Sequence, residues 1–532
     1  MRKKQAMQLQ QPEGKRWTAL KYLVKKGEMK QYDANTMDVF GMPSLVLIER
    51  AALAAVEELE RDGLNRLSRI MVAAGTGNNG ADGLVMARLL YLKGHTVQIV
   101  LAGSRSKATP ENRTELQIAQ NYGVAAMDAD TWLETAHGEN DYDIVIDALF
   151  GVGLSRRIEG VYGQLIDRLN CLRAKKVAVD IPSGIDADDG QVLAVAFQAD
   201  LTVTFSYEKL GMRLFPGQSY CGRIVCRSVG IDDHSFLSDT ERGHKPLAAA
   251  LTDEDLRLIP GRRMRTNKGS YGKVLVIAGS VNMAGAAVFS ARAAYLCGCG
   301  LVRVLTPEEN RAIIQSTLPE AVLTTYNAKK PEPEILTTAM RWADVIVCGP
   351  GLGTSDAAHR IVRTVLKNAA VPLVLDADAL NIISEETDIL RRPHTDLIVT
   401  PHLGEMARLQ DLPVSYIQDH IVESAEEFAR TYNLICVLKD ARTVTAVPFG
   451  QTYVNLSGNN GMATGGSGDV LTGVLAALIA QGAAPELAAP LGVYMHGRAG
   501  DLAAETYGRY SLTASTLLEA LPGIFLRKEG ME

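Results

Sequence analysis

The sequence predicts an α/β protein built from two doubly wound domains, and three observations support this fold class. The chain has 532 residues, which is too many for a single ordinary hydrophobic core. Apolar residues make up 47% of the chain and charged residues 22%, a balance typical of globular domains. Short, continuously apolar runs recur in both halves, each followed by a glycine-bearing turn and a helical stretch. Strands of a parallel sheet that is covered on both faces have this pattern.

Composition and charge favour a small-molecule ligand. The net charge of −6 provides no chain-wide positive surface for nucleic acid or an acidic membrane. The seven cysteines are scattered and include no CxxC pair, so we expect neither a disulfide framework nor a zinc site. No apolar stretch approaches the ~18–20 uncharged residues of a membrane span, and the N-terminus has no signal-peptide pattern. These features predict a cytoplasmic protein without a nucleic-acid or membrane partner.

The N-terminal half is expected to be a leader followed by a Rossmann-like three-layer domain over residues 28–235. Residues 1–27 are rich in Lys and Gln and favour a solvated leader, with an organelle transit segment as the alternative. Residues 43–59 have helical spacing of apolar side chains, with Ser44 available as the cap. Buried strands are expected within residues 69–75, 96–103, 143–151, 175–184 and 200–207.

The C-terminal half is predicted to be a second α/β domain over residues 247–528. The strand rhythm is lost between about 232 and 262, where Asp, Ser, Gly and Pro accumulate, so we place a linker at 236–246. Strands are then expected within residues 272–280, 300–306, 343–351, 371–380, 396–402, 434–440, 443–447 and 451–455.

A glycine-rich turn at residues 75–83 follows a strand and opens a helix. Its GxGxxG spacing alone suggests a dinucleotide site, with a pyrophosphate at the helix N-terminus. Asp82, however, places a carboxylate where that pyrophosphate would approach, and the next strand ends without a ribose-binding acid. Asn78, Asn79 and Asp82 suit a cation or a hydroxyl-bearing ligand better. In the alternative interpretation Asp82 only complements the helix dipole.

Polar residues also follow later strands of this half. The loops after the strands of a doubly wound sheet line one crevice, so Asn79, Asp147 and Ser183 are expected to converge there. Their oxygens suit a hard cation. Residues 151–157 add backbone amides and two guanidiniums, Arg156 and Arg157, which suit a phosphate group.

The strongest single motif is the glycine-rich segment 459–469, which precedes an apolar helix. Successive free amides at a helix start bind an anion, and the Asp469 carboxylate can take a proton from a hydroxyl. With a metal ion, these parts suffice for phosphoryl transfer, and the Walker motif is absent. The alternative is that the glycines serve only tight helix packing.

Two further loops fit the same site. Residues 439–443 join two strands and present Lys439 and Arg442 to nucleotide phosphates, or form a charged hairpin tip. His402 lies one turn before Glu405 and Arg408 in a strand-to-helix loop, where it is either a ligand contact or a satisfied turn histidine.

Five N-terminal motifs carry a family resemblance. EMKQYD, MPSLVLIERA, GTGNNGADG, VIDALFGVG and VDIPSG occur in order over residues 28–235 and resemble the NAD(P)H-hydrate epimerase domain. The resemblance implies a potassium ion held by Asn79, Asp147 and Ser183, with Asp180 as the candidate proton-handling group. The family usually has glycine where this chain has Ala81, and a methyl there could crowd close backbone approach. The positions that the resemblance places against the hydrated nicotinamide nucleotide are Asn78, Asn79, Gly80, Ala81, Asp82, Gly151, Val152, Gly153, Leu154, Ser155, Arg156, Arg157 and Asp180.

Six C-terminal motifs carry a second resemblance. GSYGKVLVIAGS, MAGAA, GPGLG, DADALN, TPHxGE and GGSGD occur in order and resemble the ADP-dependent NAD(P)H-hydrate dehydratase domain, which has a ribokinase-like fold. The implied contacts of the hydrated nucleotide are Ala287, Gly351, His402, Leu403, Gly404, Glu405, Met406, Ala407, Arg408 and Asp469. The implied ADP contacts are Lys439, Asp440, Ala441, Arg442, Thr443, Asn459, Asn460, Gly461, Met462, Ala463, Thr464, Gly465, Gly466, Ser467 and Gly468.

Together these resemblances imply repair of hydrated NADH and NADPH. The first domain would interconvert the R and S forms, and the second would dehydrate the S form with ADP, or ATP, as phosphoryl donor, releasing AMP and phosphate. Asp469 would act as base and Mg²⁺ would bridge the nucleotide phosphates. A homo-oligomer is expected. The rival hypothesis is a vitamin or sugar kinase with a non-catalytic N-terminal binding domain.

Overall fold

The computed structural model describes residues 20–64, 67–135, 138–237, 244–391 and 395–531. Its strands, in chain order, are β1 (Lys21–Val24), β2 (Arg69–Ala74), β3 (Thr96–Leu101), β4 (Ala125–Asp128), β5 (Ile144–Ala148), β6 (Lys175–Val179), β7 (Leu201–Phe205), β8 (Glu208–Lys209), β9 (Arg223–Arg227), β10 (Ala248–Ala250), β11 (Lys273–Ile277), β12 (Leu301–Pro307), β13 (Val322–Tyr326), β14 (Val345–Cys348), β15 (Leu373–Leu375), β16 (Leu397–Val399), β17 (Ile435–Leu438), β18 (Val444–Ala446) and β19 (Thr452–Val454).

Its helices, in chain order, are α1 (Lys26–Asp38), α2 (Ser44–Arg61), α3 (Asn78–Leu92), α4 (Pro110–Asn121), α5 (Ala129–Glu134), α6 (Val161–Asn170), α7 (Gln218–Cys221), α8 (Ala284–Leu296), α9 (Arg311–Thr317), α10 (Pro333–Trp342), α11 (Asp356–Asn368), α12 (Asp378–Ile383), α13 (Leu403–Gln410), α14 (Val414–Asp419), α15 (Ile421–Tyr432), α16 (Ser467–Ala480), α17 (Pro485–Tyr507) and α18 (Ala514–Glu529). In the described residues, no helix is both long and apolar enough to cross a membrane.

The strands form two sheets, which confirms the predicted α/β fold class. The smaller sheet has seven parallel strands in the order β4-β3-β2-β5-β6-β7-β9. The larger sheet has the order β13-β12-β11-β14-β15-β16-β17-β18-β19-β10-β1-β8 and is parallel from β13 to β17. In the smaller sheet, and in the parallel part of the larger one, the chain first adds strands on one side and then crosses to the other. The order reverses between β2 and β5 and between β11 and β14.

Each sheet is covered on both faces, as the continuous apolar runs predict. Along β2, Ile70 and Val72 belong to one hydrophobic core, whereas Met71 and Ala73 belong to another on the opposite face. All four side chains have no exposed surface. Because successive side chains of a strand point to opposite faces, a strand buried on both sides must be apolar at every position.

The larger sheet joins the two halves of the chain. β1 pairs antiparallel with β10, with Leu23 opposite Ala248, and parallel with β8, with Val24 opposite Lys209. The leader prediction therefore does not hold for residues 20–27, which include a buried strand, while residues 1–19 lie outside the described residues. The linker assigned at 236–246 is described only at its two ends, and β10 follows it directly.

Two local predictions differ from the structure. Helix α2 begins at Ser44 as expected, but its cap position is Pro43, and Ser44 Oγ instead donates to Glu111 Oε1 at 2.7 Å. Strands β1, β4, β8, β9, β10 and β13 were not expected from the sequence. They are two to five residues long, and β1, β8 and β10 find partners in distant parts of the chain.

Candidate active sites

A cavity of about 690 Å³ opens at the carboxyl ends of β2 and β5, where the order of the smaller sheet reverses. Ligands of open α/β sheets bind at this switch point because the loops after the two strands diverge there. Many of the predicted ligand contacts lie on its wall. They are Asn78, Asn79, Asp82, Gly151, Val152, Gly153, Leu154, Ser155, Arg156 and Asp180.

Gly80, Ala81 and Arg157 are not among the described residues that line the cavity, and their ligand contacts stay predictions. A Cβ on Gly80 would lie 2.2 Å from the Gly75 carbonyl oxygen, so this glycine permits close backbone packing. Ala81 is fully buried in the hydrophobic core. Its methyl group faces the core because adjacent helix residues point in different directions, and it does not narrow the cavity.

The three predicted cation ligands lie around one loop. Asp147 is fully buried, and its carboxylate accepts hydrogen bonds from Ser183 N and Ser183 Oγ, both at 2.7 Å. Burial raises the pKa of Asp147 to about 6. The Phe150 N–H donates to Ser183 Oγ at 2.9 Å, and the adjacent Gly151 lies against Asn79. Both polar side-chain atoms of Asn79 are buried and have no hydrogen-bond partner among the described residues, which leaves the Oδ1 atom available to a cation.

Two residues of the cavity wall, Asp33 and Lys209, were missed at the sequence level. Lys209 is 1% exposed, and its Nζ contacts Asp180 Oδ1 and lies 2.8 Å from Thr204 Oγ1. Asp33 lies on α1. Asp33 ends the EMKQYD motif that supported the resemblance, and Lys209 follows a buried strand by four residues. Neither position could be recognised from its neighbours alone, because the residues that Asp33 and Lys209 face in the cavity are distant in sequence.

The second site is built around the start of α16. Gly466 precedes this helix with φ +88°, a left-handed conformation that glycine adopts without strain. The first helical N–H groups, including those of Ser467 and Gly468, have no intrahelical acceptor. Asp469 lies in the same turn, and burial raises its pKa to about 6. An anion-binding helix end thus lies beside a carboxylate that can accept a proton.

The loop before α16 is shaped by Asn459. Its Oδ1 accepts from the Gly461 N–H at 3.0 Å, and its Nδ2 donates to the Gly500 carbonyl at 2.9 Å. These bonds fix the turn and leave Asn460, Ala463 and other residues of the predicted ADP-binding segment at the surface. The side chain of Asn459 therefore supports this loop.

Residues 439–443 connect the antiparallel strands β17 and β18, as the hairpin alternative expects, but the Lys439 side chain is only 21% exposed. Its Nζ lies 2.7 Å from Asp376 Oδ1, and Asp376 is 1% exposed. A Cβ on Gly468 would lie 3.3 Å from the Lys439 Nζ, so this glycine leaves room for the ammonium group at the start of α16. Arg442, predicted beside it as a phosphate contact, instead donates from Nε to Gln218 Oε1 of the N-terminal half at 2.7 Å.

His402 acts as a helix cap, which confirms the satisfied-turn alternative. Its Nδ1 accepts from Gly404 N at 3.0 Å and Glu405 N at 3.3 Å, and Glu405 Oε2 accepts from His402 N at 2.8 Å. Burial, together with the charges of Lys439 and Arg408, lowers the pKa of His402. The ring is half exposed, and its Nε2 lies 3.5 Å from Glu405 Oε1.

Three predicted contacts of this second site are core residues instead. Met406 and Ala287 have no exposed surface, and Ala407 is 7% exposed. Each packs into a hydrophobic cluster under the sheet. Gly351 does lie at the β11/β14 switch point, with φ +59°, and a Cβ there would lie 2.8 Å from the Cβ of Ala286. The close approach of these two loops requires glycine.

Comparisons with known proteins match both halves. A family model described as "YjeF-related protein N-terminus" matches residues 44–211, and one described as "NAD(P)H-hydrate dehydratase" matches residues 274–523. The bifunctional NAD(P)H-hydrate repair enzyme of Moorella thermoacetica is 38% identical over 96% of this chain and 97% of its own. The Escherichia coli enzyme of the same name is 34% identical over 93% of this chain and 92% of its own.

A solved structure is similar to the C-terminal half. The ADP/ATP-dependent NAD(P)H-hydrate dehydratase from Bacillus subtilis, co-crystallised with ATP and Mg²⁺, is 31% identical, with a TM-score of 0.47. The similarity covers 52% of this chain and 98% of that one. With relatives above 30% identity along nearly the whole length, the chain belongs to the family of bifunctional NAD(P)H-hydrate repair enzymes.

Proposed function

We propose that residues 28–235 interconvert the R and S forms of hydrated NADH and NADPH, and that residues 247–528 dehydrate the S form with ADP as phosphoryl donor. The observation that carries the second step is the start of α16, where the first amides of the helix lie beside the Asp469 carboxylate. Lys439 and Asp376 lie against the same turn. This arrangement suits proton removal from a hydroxyl together with stabilisation of a transferred phosphoryl group.

The chemistry explains why a kinase-like site performs a dehydration. The hydrated ring carries a hydroxyl beside its nitrogen, and hydroxide is a poor leaving group. Asp469 takes the hydroxyl proton as the oxygen receives a phosphoryl group from ADP, and AMP is released. The amides of residues 465–468 hold the phosphoryl oxygens. The ring-nitrogen lone pair then expels phosphate, and loss of a ring proton restores NAD(P)H.

Two groups of oxygen-bearing side chains in this protein suit metal cations. Asn79, Asp147 and Ser183 would hold potassium, which supplies positive charge beside the nucleotide in the N-terminal cavity, and the unpartnered amide of Asn79 supports this assignment. Asp376 and Asp378 provide carboxylates close enough to Asp469 to raise its pKa. They would help hold Mg²⁺, which supplies charge neutralisation at the nucleotide phosphates.

Separate incubation of each epimer with ADP or ATP tests the proposal. We expect the S form to give free phosphate and restored absorbance of the reduced ring, with no phosphorylated product remaining. The R form should react only after conversion to S. A stable phosphoester product would instead identify a small-molecule kinase. The cytoplasmic location and the homo-oligomer remain predictions, which fractionation and sedimentation would test.

A further inference from the structure

Three carboxylates and one lysine from four separate elements line the N-terminal cavity. Asp33 lies on α1, Asp82 in the first turns of α3, Asp180 directly after β6, and Lys209 at the end of β8. Their charges influence one another, since Asp180 raises and Lys209 lowers the pKa values of both Asp33 and Asp82. A group of this kind can divide acid and base roles among its members.

The carboxyl group of Asp180 is held by a buried cation. The buried Lys209 ammonium contacts Asp180 Oδ1, and Thr204 Oγ1 also donates to this oxygen, at 3.1 Å. A lysine that is 1% exposed requires a nearby negative charge, because an isolated buried ammonium is very costly. Asp180 also has φ +68°, which is uncommon outside glycine and requires a surrounding structure that enforces it.

Asp33 has the opposite environment. No cation or hydrogen-bond donor among the described residues contacts its carboxyl group. Burial raises its pKa to about 7, with the Lys209 charge opposing this rise and the Asp180 charge adding to it. Lys30 on the same helix and Arg156 on the opposite loop are the other cations of the cavity wall. Near neutral pH, a protonated Asp33 can therefore face the same ligand as the lysine-paired carboxyl group of Asp180.

We propose that Asp33 is the proton donor and Asp180 the proton acceptor of the epimerase, with Lys209 as the positioning residue that holds the Asp180 carboxyl group. The proposal rests on the assignment of epimerisation to this cavity. Asp33 lies outside the residues matched by the N-terminal family model. Asp82 is less suited to proton delivery because only 9% of it is exposed, and burial holds it in a fixed helix turn.

The step balances without any added reagent. Asp33 protonates the ring hydroxyl, the carbon–oxygen bond breaks with its electron pair leaving as water, and the ring-nitrogen lone pair forms a carbon–nitrogen double bond. Water then attacks the opposite face of that carbon, its extra proton passes to Asp180, and the double-bond electrons return to nitrogen. Solvent returns the proton from Asp180 to Asp33, and one water is lost for each one gained.

The test measures epimer interconversion by the full-length chain without nucleotide, with separated R and S forms and across pH. We expect Asp33→Asn to lower kcat/KM by about 100-fold or more, the usual range for loss of a general acid, and to remove the decline above about pH 7. Lys209→Met should move the acid-side decline to higher pH, and Lys209→Arg should restore its position. Asp38→Asn, on the exposed end of α1, is the matched control and should behave as the unmodified chain does.

The outcomes separate this inference from the proposed function. If Asp33→Asn keeps the original rate and alkaline decline while Asp180→Asn is inactive, Asp33 is not the donor and the cavity is still the epimerase. If Asp180→Asn is fully active as well, the cavity assignment itself is wrong. An unmoved pH profile in Lys209→Met would show that Lys209 serves only packing. Thermal unfolding of each variant distinguishes a chemical loss from a folding defect.

Discussion

Replacing Lys439 with methionine tests how the dehydratase keeps its base ionised. Burial and the Asp376 charge raise the pKa of Asp469 to about 6, and the Lys439 ammonium opposes them. The base must be deprotonated, so activity should be present above this pKa and lost below it. With one proton involved, about nine-tenths of Asp469 is ionised at pH 7 and about one-tenth at pH 5, a roughly tenfold fall in kcat/KM.

Lys439→Met keeps the length of the side chain and removes its charge. Asp376, whose Oδ1 lies 2.7 Å from the Lys439 Nζ, then repels the Asp469 carboxylate without compensation. We expect the acid-side midpoint of kcat/KM to move above pH 6, so that the activity lost at pH 7 is partly recovered at pH 8.5. A purely phosphate-binding lysine would give a different result, because its removal would raise KM for the nucleotide at every pH.

The assay follows restored absorbance of the reduced ring with the S form as substrate and saturating ADP. Lys367→Met, on the exposed end of α11, is the matched control and should leave the profile unchanged. An unchanged midpoint in Lys439→Met, with only a higher KM for ADP, would refute the electrostatic role of Lys439. A midpoint far from pH 6 in the unmodified chain would refute the assignment of Asp469 as the titrating base.

Three further predictions concern packing, cation binding and the shared sheet. Gly473→Ala should lower the melting temperature, because its Cβ would lie 2.1 Å from the Ser290 carbonyl oxygen. The clash costs about 1–3 kcal/mol, against a gain of roughly 1 kcal/mol in helix propensity. Gly285→Ala is the control and should leave the melting temperature unchanged, because the nearest atom to its Cβ would be 3.9 Å away. Ser183→Ala should raise the potassium concentration needed for half-maximal epimerisation about tenfold or more, measured by potassium titration, and an unchanged requirement would argue against this cation site. Leu23→Pro should impair both activities together in paired assays, because it removes a ladder N–H between β8 and β10, whereas Leu23→Val should impair neither.

Regular strands were predictable because a strand that is buried on both faces is apolar at nearly every position of the sequence. The run at 273–277 is apolar after its first residue, and in the structure Val274 and Val276 belong to one core while Leu275 and Ile277 belong to the other. β8 and β10 contain only two and three residues, too few for any periodicity, and they are strands because β1 pairs with both. Such pairing between distant segments has no local signature.

The candidate sites also combine features that the local sequence predicts with features that depend on distant residues. The glycine-rich starts of α3 and α16 were evident because a helix N-terminus that binds a ligand needs local glycine and polar residues. The pairing of Lys439 with Asp376 was not evident from the sequence, since the two residues are 63 positions apart. Runs of neighbouring positions, such as residues 402–408, over-predict contacts: a helix turns its successive side chains in different directions, and Met406 therefore lies in the core while Arg408 is exposed.

The shared sheet gives a physical reason for joining the two activities in one chain. Lys209, which contacts the candidate epimerase carboxylate Asp180, occupies β8 at the edge of the sheet that the dehydratase half provides. The next residue toward the N-terminus, Glu208, is held by Lys21 at 2.8 Å and by Arg213 at 2.6 Å, and it is 4% exposed. Arg442 in the predicted ADP loop meets Gln218, nine residues after Lys209. The C-terminal half enters this arrangement through β10, which pairs with β1, the strand beside β8. A separated N-terminal domain would therefore lose the partner of β1, one strand away from Lys209.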